Sequence, residues 1–181
     1  MTIPNLITIV RLLLVPVIVV SIGAGAWVAA FTLFVIAGLS DGVDGYIARR
    51  FDMRSELGAY LDAVADKALL VSIYVSLAIA GVLPGWMAIL VVSRDVLILM
   101  AVVISWLMAR PVAISPLLVS KLNTAAQIGL AALALGSLGL TGAGPDAAAP
   151  WLFNAGMAAV VVLTLASAGA YLALWLRHMA E

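Results

Sequence analysis

Four aspartates set between long apolar stretches, Asp41, Asp44, Asp62 and Asp66, constrain the fold of this chain more than any other feature. The apolar sequence on both sides is typical of membrane-spanning helices. A carboxylate near the centre of a bilayer costs about 2.5–3.5 kcal/mol on insertion scales, so four unpaired ones would cost roughly 10 kcal/mol or more. The aspartates therefore need a compensating partner, and a divalent metal ion, which prefers hard oxygen ligands, is the obvious candidate.

The spacing of the aspartates predicts two antiparallel helices that present them in one layer. The first pair is three residues apart and the second pair four, so each pair lies on one helix face. The polar segment between the pairs indicates a turn, with Ser55 as the N-cap of the second helix. Counted from that turn, Asp44 matches Asp62 in depth, and Asp41 matches Asp66. At about 1.5 Å per residue, these levels lie roughly 10 and 15 Å from the turn, which brings all four carboxylates together. Such a set suits Mg²⁺, Ca²⁺ or Mn²⁺.

The composition predicts an all-α membrane protein, with residues 1–181 forming a single membrane domain. Of the 181 residues, 66% are hydrophobic and 10% are charged, and the mean hydropathy is +1.25. A soluble domain of this size cannot bury so much apolar surface. The formal net charge of zero gives no basis for binding nucleic acid, and the absence of cysteine excludes disulfides.

We expect six transmembrane helices, preceded by a short interfacial segment from Thr2 to Asn5. Each span reaches or approaches the ~20 residues needed to cross the hydrocarbon core. A loop rich in glycine, alanine and proline is expected at residues 141–150. The predicted spans are residues 6–22, 26–50, 55–80, 85–109, 116–140 and 151–176.

The basic residues predict the orientation of these spans. The connections at residues 23–25, 81–84 and 141–150 contain no lysine or arginine. The connections on the other side contain Arg49, Arg50, Arg54 and Arg110. Because basic residues stay on the cytosolic side, we expect the N-terminus and the aspartates to face the cytosol, in a bacterial inner membrane.

A longer pattern around the aspartates resembles the signature of the CDP-alcohol phosphatidyltransferase family. It matches without a gap and covers about one seventh of the chain, and Asp41 supplies the extra leading aspartate that the family also shows. The matching residues are Asp44, Gly45, Ala48, Arg49, Gly58, Asp62 and Asp66.

The resemblance implies a role for each of these positions. Asp41, Asp44 and Asp62 would bind two divalent cations, Mg²⁺ or Mn²⁺, which hold the diphosphate of a CDP-lipid. Asp66 would be both a metal neighbour and the catalytic base that acts on the acceptor hydroxyl. The remaining matched positions would belong to the CDP-lipid site, namely Gly45, Ala48, Arg49 and Gly58.

Polar residues in other spans leave two interpretations open. Arg94 and Lys121 either form a structural ion pair and a snorkelling lysine, or bind the phosphate of the acceptor, which is the role we predict. Asn5, Thr8 and Arg11 share one stripe of the first helix. They either cap the membrane interface or line a nucleotide or phosphate pocket, and we expect Asn5 and Thr8 to bind the CDP-lipid.

Three short motifs bear on the acceptor. The opening IPNLITIVRLLLVPV resembles both phosphatidylglycerophosphate synthases and cardiolipin synthases within the family. VSRDVLIL and SKLNTAAQ look more like the cardiolipin synthases of mitochondria and of some bacteria. Phosphatidylglycerophosphate synthases more often show Ala-Arg-Glu and Lys-x-Lys-Thr, where this chain has Asp95 and Asn123 in place of the glutamate and the second lysine. One cation fewer suits a phosphodiester better than the dianionic glycerol 3-phosphate.

The resemblance thus implies transfer of a phosphatidyl group from CDP-diacylglycerol to phosphatidylglycerol, giving cardiolipin and CMP. The alternative within the family is phosphatidylglycerophosphate synthesis, with glycerol 3-phosphate as the acceptor. An alternative of another class is a metal or proton transporter that uses the aspartates as an intramembrane relay. Members of the family are usually homodimers, so we expect a homodimer here.

Overall fold

The residues that the structure describes fold into helices, with no strand among them. This computed structural model describes residues 3–50, 56–107 and 117–180, without the side chains of residues 3–5, 43–50, 56–57, 59–61, 102, 106 and 178–180. A π-helical segment, Ser137–Thr141, directly continues the fifth helix. The α-helices are α1 (Ile3–Gly23), α2 (Trp27–Arg50), α3 (Glu56–Ile79), α4 (Gly85–Leu107), α5 (Leu118–Gly136), α6 (Pro145–Ala148) and α7 (Pro150–Ala180).

Glycines in the left-handed region reverse the chain between neighbouring helices. Gly25 has φ +69° just after α1, and Gly81 has φ +74° just after α3. Residues with a Cβ rarely adopt this conformation, and it typically ends a helix. The N–H of Val82 also donates a hydrogen bond of 2.9 Å to the carbonyl of Leu77, which closes the turn after α3. These turns place α2 beside α1 and α4 beside α3.

The helices pack in two connected groups. Helix α1 lies against both α2 and α3, and α7 lies against α5 and α4. Contacts of α2 with α5 and of α3 with α4 join the groups. One continuous core runs through both, and its fully buried members include Ile18, Ile73, Tyr74, Leu77, Met87, Leu135 and Val160.

The outer surface is also apolar, as expected for a protein surrounded by lipid. Leu13, Ile79 and Leu118 are 65%, 83% and 77% exposed, and they are three of many large hydrophobic side chains on the surface. Apolar surface of this extent is rare on proteins in water. Among the described residues, four helical stretches are long and apolar enough to cross a membrane: Leu6–Gly23, Gly85–Ser105, Leu118–Thr141 and Pro150–Arg177.

The predicted spans and the observed helices agree in position, but not every helix qualifies as a membrane span by length and composition. Each of the six predicted spans coincides with one long helix. Helix α2 contributes only a shorter apolar run, Trp27–Gly42, and α3 is not among the four candidate spans. Among the described residues, length and composition therefore identify four spans.

Two local predictions need correction. Residues 3–5 belong to α1, so over these residues the expected interfacial segment is not separate from the first helix. The loop expected at residues 141–150 contains the short helix α6, which begins at Pro145. Proline suits the first turn of a helix because its fixed φ is helical and its missing N–H is not needed there. Ser55, the predicted N-cap, lies outside the described residues.

Candidate active site

Three of the four aspartates meet between α2 and α3. Asp41 lies near the middle of α2, and Asp62 and Asp66 lie on one face of α3. One carboxylate oxygen of each lies within 4.8 Å of the other two. The side chains of all three are about half exposed, so the cluster is open on one side. The layer predicted from the spacing is therefore present for these three residues, while the side chain of Asp44 lies outside the described part.

Arg11 of α1 closes the other side of the cluster. Its Nη1 lies 2.7 Å from Asp41, 2.9 Å from Asp62 and 3.0 Å from Asp66, in each case measured to Oδ1. The side chain of Arg11 is fully buried. Three carboxylates thus face a single guanidinium, so the cluster has more formal negative than positive charge, as a cation-binding site requires.

A cavity of about 290 Å³ extends from the cluster between α1, α2, α3 and α5. Arg11, Asp41 and Asp66 line its polar end. The rest of its wall is mostly apolar and includes Phe34, Val35, Leu39, Leu69, Leu70 and Ile128. A charged end joined to an apolar groove has the same polarity pattern as a phospholipid, which has a charged headgroup and apolar chains.

The donor set of the cluster fits a divalent cation. Carboxylate oxygens are the ligands that Mg²⁺ and Mn²⁺ prefer, and Mg²⁺ sites that act on phosphates use only one or two carboxylates together with substrate oxygens and water. Asp41, Asp62 and Asp66 supply such oxygens from two helices, close enough together to share an ion. The open side of the cluster leaves room for phosphate oxygens of a substrate.

The residues predicted to bind the CDP-lipid are described only in part. Thr8 is buried on α1, one turn before Arg11. Gly58 lies partly buried in the first turn of α3. The remaining predicted positions lie outside the part of the structure in which side chains are described, and these are Asn5, Gly45, Ala48 and Arg49.

A second polar network surrounds Arg94 on α4. The Arg94 side chain is buried, and its Nη1 donates a hydrogen bond of 2.6 Å to Asp95. Its Nε and Nη2 donate hydrogen bonds of 3.2 and 2.7 Å to Ser167 on α7, and Nη2 also donates to Ser120 on α5. The guanidinium lies 5.7 Å from the centre of the Tyr171 ring. Arg94 therefore connects α4 to α5 and α7.

The two residues predicted to bind the acceptor phosphate differ in exposure. Lys121 is exposed on α5, next to the Ser120 that Arg94 contacts, whereas Arg94 itself is buried. Asp95 bridges Arg94 to Lys67, whose ammonium group points to Asp95 rather than into the aspartate cluster. This chain of charges links α4 to the turn of α3 that carries Asp66.

Asn123, one of the two residues on which the sequence-based choice of acceptor rests, is fully buried on α5. Its Oδ1 accepts a hydrogen bond of 2.9 Å from Thr164 on α7. One turn later, the buried Gln127 accepts a hydrogen bond from Tyr74 at its backbone carbonyl. A neutral, hydrogen-bonded amide thus occupies the position at which a second lysine would add positive charge.

The contact of Arg11 with the aspartates is the functional feature that the sequence prediction missed. Arg11 was assigned to a polar stripe and not to the metal site. The sequence does contain a clue to this contact, because Arg11 is the only charged residue in α1. A buried charge in an apolar helix needs a partner of opposite charge, and the aspartates were the nearest such group in the sequence.

Comparisons with known proteins identify the family of the chain. The sequence profile of the CDP-alcohol phosphatidyltransferase family matches residues 1–175. The chain belongs to this family. A probable cardiolipin synthase (CMP-forming) of Drosophila melanogaster is 37% identical over an alignment of 153 residues, and the match covers 76% of this chain and 48% of the relative. The human cardiolipin synthase (CMP-forming) is 35% identical over an alignment of 150 residues, and the match covers 74% of this chain and 50% of the relative.

Relatives of the alternative subtype also match this phosphatidyltransferase. A probable phosphatidylglycerophosphate synthase of Mycobacterium tuberculosis is 37% identical over an alignment of 97 residues, and the match covers 50% of this chain and 46% of the relative. The chain spans about half the length of the curated relatives it matches. Membership of a family of transferases favours an enzyme over the intramembrane transporter that we considered as an alternative.

Proposed function

We propose that this phosphatidyltransferase transfers the phosphatidyl group of CDP-diacylglycerol to phosphatidylglycerol, giving cardiolipin and CMP. The observation that carries the proposal is the cluster of Asp41, Asp62 and Asp66 at the polar end of an otherwise apolar cavity. This arrangement suits two substrates that are both lipids with charged headgroups. The relatives named as cardiolipin synthases, which align with three quarters of the chain, support the choice of product.

The aspartates would have two roles in the reaction, binding metal ions and acting as the base. Asp41, Asp44 and Asp62, together with Asp66, would hold two divalent cations, Mg²⁺ or Mn²⁺. When bound, these cations neutralise charge on the diphosphate of the CDP-lipid and on the departing CMP. The carboxylates that would hold the cations come from both α2 and α3, so the site depends on the packing of these two helices.

Asp66 would act as the base. It takes the proton of a primary hydroxyl on the glycerol headgroup of phosphatidylglycerol. The hydroxyl oxygen then forms a bond to the phosphorus of the phosphatidyl group, and the bond from that phosphorus to the bridging oxygen of the diphosphate breaks. The bridging oxygen leaves with CMP, and the proton stays on Asp66 until it passes to solvent on the open side of the cluster.

Other residues would position the two lipids. The CDP-lipid would contact Asn5, Thr8, Gly45, Ala48, Arg49 and Gly58. Lys121 and Arg94 would bind the phosphate of the acceptor, with Lys121 exposed at the surface of α5 and Arg94 held below it by two serines. The serine hydroxyls are neutral partners, so the positive charge of Arg94 is offset mainly by Asp95, which is shared with Lys67.

The buried amide of Asn123 supports phosphatidylglycerol as the acceptor. Glycerol 3-phosphate has a dianionic phosphate, and a second lysine near Lys121 would match it. Phosphatidylglycerol has a phosphodiester with a single negative charge, which fewer cations can match. In this chain Asn123 is neutral and already hydrogen-bonded to Thr164.

We further propose a single membrane domain with six transmembrane helices, adding α2 and α3 to the four candidate spans. Each has 24 residues, which at about 1.5 Å per residue is enough to cross the hydrocarbon core. In our proposal the protein lies in a bacterial inner membrane as a homodimer, with its N-terminus and active site facing the cytosol.

Product analysis with the purified protein tests the function. CDP-diacylglycerol and Mg²⁺ or Mn²⁺ are supplied with phosphatidylglycerol in one reaction and with glycerol 3-phosphate in another. We expect cardiolipin and CMP from the first reaction alone. Phosphatidylglycerophosphate from the second reaction alone would overturn the acceptor assignment, and metal-independent CMP release would overturn the role of the aspartates.

A further inference from the structure

A single nitrogen atom lies at the centre of the three carboxylates. Arg11 Nη1 contacts one oxygen each of Asp41, Asp62 and Asp66, at 2.7, 2.9 and 3.0 Å. The structure uses the Oδ1 atom of all three residues for these contacts. An isolated ion pair would use one carboxylate, whereas a cation shared among three carboxylates from two helices has the arrangement of a metal ion among its ligands.

We propose that Arg11 Nη1 lies where one divalent cation would bind, so that the two compete for the three aspartates and the guanidinium withdraws when the cation binds. The proposal rests on the metal-dependent function proposed above. Arg11 Nη1 and a metal ion cannot both lie at the centre of the same three Oδ1 atoms, because the two would overlap and their like charges repel. Binding of the metal therefore requires the Arg11 guanidinium to move or to give up these contacts.

The position of Arg11 between the three carboxylates explains why α1 contains a buried arginine. Without a cation, three carboxylates on two apolar helices would repel one another and force α2 and α3 apart. Arg11 lies on α1, which packs against both helices, and its side chain is fully shielded from solvent. It thus holds the carboxylates together, and it also weakens metal binding, because its charge must be displaced.

The substitution Arg11→Gln tests this competition by a measurement that does not depend on turnover. We expect the purified variant to bind Mn²⁺, titrated without substrate and followed by electron paramagnetic resonance, at least about tenfold more tightly than the wild type. The reason is that the metal no longer competes with a fixed positive charge. Mg²⁺ should also raise the midpoint of thermal unfolding more in this variant, since the ion then replaces a missing charge.

Two further variants serve as controls. Lys67→Gln removes the same charge one residue from Asp66, but Lys67 points to Asp95 instead of the cluster. We expect its Mn²⁺ affinity to stay within about threefold of the wild type, because the removed charge does not occupy the site. Arg11→Lys retains the charge at the same position of α1, and its affinity should also stay close to that of the wild type.

The Mn²⁺ measurements distinguish failure of the Arg11 proposal from failure of the proposed metal-dependent function. Unchanged or weaker Mn²⁺ binding in the folded Arg11→Gln variant overturns the proposal, because an arginine with a purely structural role would behave in that way. A variant that stays unfolded in saturating Mg²⁺ also overturns it, since the ion then fails to replace the arginine. Absence of Mn²⁺ binding in the wild type would instead overturn the metal-dependent function on which the proposal rests.

Discussion

Asp66 combines two proposed tasks, and substitution can separate them. Asp66→Asn keeps the size of the side chain but removes the base and one negative charge. General-base catalysis typically contributes 10²–10⁴-fold, so we expect release of CMP to fall by at least about 100-fold. Binding of CDP-diacylglycerol in the presence of metal should remain measurable, because Asp41 and Asp62 still face each other across α2 and α3.

Asp146→Asn is the matched control for this substitution. It makes the same chemical change at an exposed position on α6, which is remote in sequence from the cluster. We expect it to retain turnover and binding. Full activity of Asp66→Asn would contradict the assignment of the base, and loss of CDP-diacylglycerol binding along with turnover would mean that Asp66 acts mainly as a metal ligand.

The sequence predicted the aspartate cluster because its geometry is local. The spacing within each pair fixes a helix face, and one turn between the helices fixes their relative depth, so the meeting of Asp41, Asp62 and Asp66 required little else. Arg11 is separated from Asp62 by 51 residues. The polar stripe of Asn5, Thr8 and Arg11 marks one face of α1, but nothing in the sequence indicates that this face packs on α2 and α3.

At the scale of helices, the Arg94 side chain is one of the polar links between α4 and α7. Ser167→Ala removes the acceptor of both its Nε and Nη2 hydrogen bonds. A buried donor left without its partner costs about 1–3 kcal/mol, so we expect a lower midpoint of thermal unfolding in detergent. Ser21→Ala should have little effect, because that hydroxyl only donates to the carbonyl of Val17 in its own helix. Equal midpoints for the two variants would show that the Arg94 network does not stabilise the packing.

The contact between α2 and the π-helical segment depends on the absence of a side chain at Gly139. A Cβ at this position would lie 3.0 Å from the carbonyl oxygen of Trp27 and 3.3 Å from Cβ of Phe31. Gly139→Ala should therefore force the two elements apart, and overpacking of this kind costs about 1–3 kcal/mol. We expect a lower unfolding midpoint.

Gly129→Ala provides the comparison for this prediction. Gly129 lies inside α5, and a Cβ there would meet no atom within 4 Å. Alanine favours a helix over glycine by about 0.5–1 kcal/mol, so the midpoint should stay the same or rise slightly. A fall of similar size in both variants would show that the loss in Gly139→Ala does not come from the close approach of Trp27.

Helix ends were predictable where glycine and proline determine them, as at Gly25, Gly81 and Pro84. The π-helical segment and α6 were not, because both depend on tertiary packing. The segment fits against Trp27 and Phe31, which are more than 100 residues earlier in the chain. Composition identified residues 141–150 as a connection but gave no sign of the short helix within it.

For the whole molecule, the number of membrane crossings is the property on which the proposed orientation depends. Four helical stretches of the described residues qualify by length and composition, and α2 and α3 are not among them. If both helices cross, their connection at residues 51–55 lies in the cytosol. If they form a hairpin that enters the membrane and returns, the same connection lies within the membrane, although the turns at Gly25 and Gly81 stay on the far side in either case.

Single cysteines placed in this chain, which has none of its own, distinguish these arrangements. We expect Ser55→Cys to react with a membrane-impermeant maleimide only when the cytosolic face is accessible, as in inverted membrane vesicles, because six crossings bring that residue into the cytosol. Arg177→Cys should react from the same side and Ala80→Cys from the opposite side, and these two variants calibrate the assay. A Ser55→Cys protein that reacts from neither side while both controls label would replace the six-span arrangement with a membrane-embedded hairpin. The aspartates would then have to receive their metal ions and CDP-lipid from within the bilayer rather than from the cytosol.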